Sequence, residues 1–177
     1  METPGASRAN SSLVTVVSSI LPNSHLQFLI CKGGRGPVKN KPIVLPDGTI
    51  IAPASLETPD GNWNCFTDSS HDQGKTWTRS AFAQIDRATW PGEGAIQPSL
   101  INSAPGKLTM LSRSSAGYVA RSDSEDNGKN WGKMYLTPLF NNNSGLDALR
   151  QENGTWLLVH NPVQQRWVSL YPELTLP

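Results

Sequence analysis

The chain has 177 residues, 15 basic against 14 acidic side chains and a net charge of +1, so no charge excess points to nucleic acid or to an anionic membrane surface. Hydrophobic residues make up 37% and charged residues 16%, with 15 Gly and 14 Pro, a balance that suits short strands and turns better than long helices. Cys31 and Cys65 are too few for a disulfide framework and stand in no Cys-x-x-Cys or His-rich spacing, so no metal and no cofactor is expected.

The apolar run over 13–20 is broken by Ser and Thr and no cleavage site follows it. Neither a signal peptide nor a membrane span is expected, and both a cytoplasmic and a secreted location stay open. Residues 1–35 are read as a partly irregular N-terminal segment, ending in the flexible join Gly33-Gly34-Arg35-Gly36-Pro37. Strand-like runs follow at 42–45, 49–54, 63–67 and 76–82, and again at 98–101, 107–112, 118–122 and 131–136. A third set begins at 146–150, continues at 155–160 and reaches 166–170, where the chain is expected to stop inside a unit. Tight turns precede the second strand of each set at Pro46-Asp47-Gly48-Thr49, Pro105-Gly106-Lys107 and Asn153-Gly154-Thr155. Four strands in about fifty residues is the size of a propeller blade.

The strongest signal is an internal repeat. Ser70-His71-Asp72-Gln73-Gly74-Lys75-Thr76-Trp77 returns 54 residues later as Ser124-Glu125-Asp126-Asn127-Gly128-Lys129-Asn130-Trp131, identical at five of eight positions. Within each copy Gly74 or Gly128 supplies the positive φ of a sharp turn, and the Asp72 or Asp126 carboxylate accepts from backbone N–H groups of that turn. Trp77 and Trp131 cover the turns and are expected in equivalent, largely buried positions. Ser70, Asp72, Gly74, Trp77, Ser124, Asp126, Gly128 and Trp131 are therefore read as structural. The stretch from Asp123 grazes a calcium-loop pattern, but Met134 stands where the closing Glu belongs.

The box S-x-D-x-G-x-T-W resembles the Asp box of sialidases and related BNR-repeat propellers. Ile96-Gln97-Pro98-Ser99-Leu100, Leu111-Ser112-Arg113-Ser114, Asn143-Ser144-Gly145-Leu146-Asp147 and Val159-His160-Asn161 extend the likeness over residues 36–171 to the sialidase-like subgroup. The resemblance implies an all-β fold, a partial sialidase-like β-propeller over 36–177 with two four-stranded blades and an incomplete third. It also implies a glycoside hydrolase acting on an acidic sugar, or a truncated form of one, with a noncatalytic carbohydrate-binding or interaction propeller as the alternative. No nucleic acid or membrane partner is expected. Open blade edges offer a route to self-association.

Alternating strand direction sorts the connections onto two rims, with the boxes on one and the loops between second and third strands, and between blades, on the other. The second rim gathers Lys39, Asn40, Lys41, Glu57, Asp60, Glu93, Gln97, Arg113, residues 141–147, His160, Asn161 and Arg166. Sialidase-like enzymes place their pockets on that face. Arg113 and Arg166 suit a carboxylate, because a planar guanidinium donates to both oxygens at once. Lys39, Lys41, Gln97 and Asn161 are expected beside them as substrate-binding residues, and Glu57 and Asp147 as acid or base. The resemblance further implies a tyrosine nucleophile helped by a glutamate, an aspartic acid donor and three arginines. Here the Arg-Ile-Pro style motif is absent, and Tyr118, Tyr135 and Tyr171 lack a nucleophile context.

Overall fold

The computed structural model describes residues 39–166, together with the backbone of strands β1 (Leu13–Thr15) and β2 (Phe28–Ile30), which pair antiparallel. That hairpin falls in a segment for which the sequence suggested little order. The expected third run of the third unit, at 166–170, lies outside the described residues apart from Arg166.

Two four-stranded antiparallel sheets follow in chain order, with no helix among the described residues. The first holds β3 (Ile43–Val44), β4 (Ile50–Glu57), β5 (Trp63–Ser70) and β6 (Thr78–Arg79), and the second β7 (Ala95–Ala104), β8 (Lys107–Ser114), β9 (Tyr118–Ser124) and β10 (Tyr135–Phe140). Strands β11 (Asp147–Arg150) and β12 (Trp156–Val159) form a third, two-stranded sheet. Each strand pairs with its sequence neighbour, the up-and-down order expected of a blade. Strand β4 is buried over six consecutive residues, as for a strand covered on both faces. Its Pro53 is tolerated because β3 pairs only with Ile50 and Ile51 and leaves that edge open.

The core lies between the sheets. Ile51 and Cys65 of the first pack with Ala95, Leu100, Leu108, Met110 and Ala120 of the second, and Trp131 and Met134 close the same cluster. A second cluster joins Ile101, Leu111 and Val119 to Leu146, Ala148 and Leu158 of the third unit. Each inter-sheet layer thus buries alternate apolar side chains of two neighbouring blades, so neither sheet is a core on its own.

The two rims are distinct. On the first, Thr49 of the β3–β4 turn meets His71 of the first box at 3.0 Å, and Asn127 N of the second box donates to Gly106 O of the β7–β8 turn at 3.0 Å. On the second, Trp63 N donates to Glu93 O, Ser115 N to Gly94 O at 3.0 Å and Asn141 N to Gly117 O.

The boxes repeat atom by atom. In the first, Ser70 Oγ donates to Asp72 Oδ1 and accepts from Gly74 N, both at 2.8 Å, while Thr76 donates its N–H to Oδ1 at 2.8 Å and its hydroxyl to Oδ2 at 2.6 Å. In the second, Ser124 Oγ likewise donates to Asp126 Oδ1 and accepts from Gly128 N, and Asn130 donates its N–H to Oδ1 and, in place of the threonine hydroxyl, its side-chain amide to Oδ2 at 2.7 Å. The tryptophans differ. Trp131 is 5% exposed and donates its indole N–H to Thr67 Oγ1 of the preceding blade at 3.0 Å. Trp77 is only half-buried and donates to Gly74 O of its own box at 2.9 Å. Burial of the box tryptophan is therefore a property of the blade interface and not of the box.

Candidate functional site

The second rim brings several of the expected residues together. Arg113, near the end of β8, stacks its guanidinium over the Trp63 ring at 5.8 Å and reaches Gln97 Oε1 through Nη1 at 3.4 Å. Its Nε is buried with no hydrogen-bond partner among the described residues. Burial lowers its affinity for a proton, the neighbouring Arg166 charge adds to that, and Glu57 opposes both. Arg166, Arg113 and Glu57 therefore share one electrostatic neighbourhood although 53 residues separate the arginines in sequence. Two guanidinium groups against one carboxylate leave the site positive, the condition for taking an anionic group.

Arg166 is exposed and held by Asn143 O, to which Nη1 donates at 2.7 Å. Glu57, the last residue of β4, is exposed and makes no hydrogen bond or ion pair among the described residues. Gln97 sits in β7 at φ 54°, with its N–H donated to Ser55 Oγ at 3.3 Å and its carbonyl accepting from the buried Asn40 amide at 2.9 Å.

A second group forms at the entry to the third unit. Lys41 Nζ lies 2.7 Å from Asp147 Oδ2 and 2.8 Å from Oδ1, and Ser99 Oγ donates to Oδ1 at 2.8 Å. Partial burial pushes the Asp147 pKa up, but the hydrogen bonds from Lys41 and Ser99 and the lysine charge outweigh it, holding the carboxyl below the ordinary aspartate range. Asp147 is thus a fixed anion tying the start of the first blade to the third. Lys39 folds its ammonium against Gly145, filling the space a Cβ there would need. Asn161 is exposed, and His160 Nδ1 lies 3.1 Å from Phe140 O. Between the groups, the loop after β10 buries Asn141 and Asn142 and leaves Asn141 Nδ2, Asn142 Oδ1 and Asn143 Oδ1 without partners among the described residues.

Trp63, Ser55 and Ser99 belong to these groups and were not anticipated. Trp63 reads in the sequence as a strand-opening apolar residue, and nothing local says that an arginine fifty residues later covers its ring. Of the two tyrosines described, Tyr118 OH accepts from Gln164 at 3.0 Å, and Tyr135 OH donates to Asp123 Oδ2 at 3.4 Å.

Residues 29–170 match the family model described as a BNR repeat-like domain. No curated protein matches the chain. Among solved structures, the Hadza microbial sialidase Hz136 is similar at 19% identity and a TM-score of 0.58, over 74% of this chain and 26% of that one. The NanB sialidase from Streptococcus pneumoniae is similar at 19% identity and a TM-score of 0.56, over 71% and 19%. A protein of unknown function from Dyadobacter fermentans is similar at 18% identity and a TM-score of 0.57, over 67% and 32%. The chain thus spans about a third or less of each of these structures. With the family model covering most of its length, the chain belongs to the BNR repeat-like family, and its described sheets are blades of a sialidase-like β-propeller.

Proposed function

We propose that the second rim recognises an acidic sugar, with Arg113 and Arg166 on its carboxylate, as the carbohydrate-recognising part of a sialidase-like glycoside hydrolase. The observation that carries this reading is the pair of guanidinium groups around Arg113, set against the single carboxylate of Glu57 and floored by Trp63. The NanB structure holds 2-[(3-chlorobenzyl)ammonio]ethanesulfonate, a zwitterion whose sulfonate, like a sugar carboxylate, is anionic. Lys39, Lys41, Gln97 and Asn161 occupy the same rim; Lys41 acts through Asp147, and Asn161 stays available to sugar hydroxyls.

Noncatalytic recognition is the second reading, and specific contacts favour it for this chain. Asp147 is locked as an anion and suits a base or an anchor, not a proton donor at neutral pH. The Tyr118 and Tyr135 hydroxyls are engaged by Gln164 and Asp123. A pocket on a propeller axis also draws on blades beyond the two and a half described, and catalysis needs groups held within about 0.5 Å of productive positions. Glu57 remains a free acid or base beside Arg113.

The test is a titration of the purified chain with the methyl glycoside of N-acetylneuraminic acid and with its carboxyl methyl ester, beside a fluorogenic sialoside assay. The acid binds, the ester binds at least about tenfold more weakly, and Arg113→Ala removes the difference. No enzymatic turnover is expected. Equal affinity for acid and ester would overturn the anion reading, and turnover lost in Glu57→Gln would make the chain a working hydrolase.

A further inference from the structure

Strand β7 breaks its register against β8 twice, between Ile96 and Ser99 and between Asn102 and Ala104, and the first break lies on the second rim. Ile96 pairs with Arg113 and Ser99 with Leu111, so Gln97 and Pro98 together oppose the single residue Ser112. In such a bulge an extra residue at positive φ is ordinarily glycine, which meets no Cβ penalty there. Gln97 takes φ 54° instead, and the proline after it favours φ near −120° for its neighbour, so the position is doubly unfavourable for glutamine. Strain of this kind persists where surrounding contacts over-determine it.

Those contacts are present. Ser55 Oγ accepts the Gln97 N–H at 3.3 Å, and the buried Asn40 amide donates to the Gln97 carbonyl at 2.9 Å, so the first blade grips the bulge on both sides of its backbone. Gripped in this way, the side chain sends Oε1 to Arg113 Nη1. Trp63 supports one face of the same guanidinium, and its buried Nε has no partner among the described residues. A glycine would satisfy the backbone and forfeit only the contact to Arg113.

We propose that Gln97 is a positioning residue, held in a strained bulge by Ser55 and Asn40 so that its amide orients the Arg113 guanidinium toward an anionic ligand. The inference deepens the acidic-sugar reading and rests on it for the identity of the anion. Gln97 thereby acts through Arg113 and not on the sugar itself.

The experiment uses the full chain with Gln97→Gly and Gln97→Glu, and Arg113→Lys to assign the Arg113 Nε–H signal by NMR. Three quantities are measured: melting temperature, the order parameter of the Arg113 Nε–H, and affinity for the N-acetylneuraminic acid methyl glycoside. Glycine accepts the bulge, so Gln97→Gly melts no lower than the parent, while the Arg113 order parameter falls from about 0.85 to below about 0.6. Affinity falls about tenfold, the equivalent of one well-placed charged hydrogen bond. Gln97→Glu keeps Arg113 ordered through an ion pair but also loses affinity, because its carboxylate competes for the guanidinium. An unchanged Arg113 order parameter in Gln97→Gly overturns the proposal, whatever the sugar does. If the order parameter falls but the parent chain binds acid and ester alike, positioning stands and the acidic-sugar reading fails.

Discussion

Replacing Gly128 by alanine, beside the same change at Gly74, separates what the box needs from what the blade interface needs. Both glycines hold the same place in the repeat, at φ +80° and +86°. An alanine at such a φ costs roughly 1–2 kcal/mol at either site. At Gly74 a Cβ would have only Trp77 Cζ2 nearby, at 3.7 Å, which is ordinary contact. At Gly128 it would stand 3.1 Å from Leu108 Cδ1, 3.4 Å from Thr67 Oγ1 and 3.6 Å from Ile51 Cγ2. Thr67 has little room to yield, because its hydroxyl donates to Gly128 O at 2.9 Å and accepts from the Trp131 indole. Crowding of a close-packed core adds roughly 1–3 kcal/mol, so Gly128→Ala loses about 2–5 kcal/mol in all and Gly74→Ala about 1–2. Equilibrium urea unfolding reads both, provided the slope with denaturant is unchanged. Equal losses at the two sites would refute the claim that the second box is part of an inter-blade core.

Acid should weaken the fold through the boxes. The hydroxyl and N–H of Thr76 hold the Asp72 pKa down at about 2; at Asp126 partial burial pushes up, but Asn130 and Ser124 outweigh it and the net shift is downward. Since both folded-state values lie below the ordinary 3.8, their contribution is complete above about pH 4 and disappears as the pH falls toward 2. Melting curves across that window should show a steeper fall for the parent than for Asp72→Asn with Asp126→Asn, and parallel curves would count against the assignment. The Cys65 thiol is buried, donates to Ala95 O at 3.1 Å and is pushed up to about 12 by desolvation. In a Cys31→Ser chain, iodoacetamide near pH 8 should therefore label it only as the protein unfolds, and rapid labelling of the native protein would contradict its burial.

The exposed apolar residues of the third unit follow the same blade logic. Leu149, Leu157 and Val159 of the third unit are exposed at 43%, 44% and 75%, whereas the matching inner faces of the first two blades are covered by their neighbours. Trp156 on that unit is touched by Arg121 of β9, whose guanidinium lies 5.6 Å from its ring centre and also holds Asp123. Polar contacts of this kind frame the seam between blades without replacing its apolar filling.

What the sequence determined by itself is what is local. Each box closes within eight residues on its own hydrogen bonds, so its motif, turn glycine and period were enough to place two four-stranded units and the start of a third. Strand alternation then sorted the rims. Tertiary structure decided everything that depends on a neighbouring blade. It buried Trp131 against Thr67 but left Trp77 half-exposed, although the two boxes are nearly the same string. It put Arg113 over Trp63, joined Lys41 to Asp147 across 106 residues and turned Gln97 out of register. None of these pairings leaves a periodic trace, because the energy that selects them comes from packing one sheet on the next and not from the propensity of any residue in its own strand.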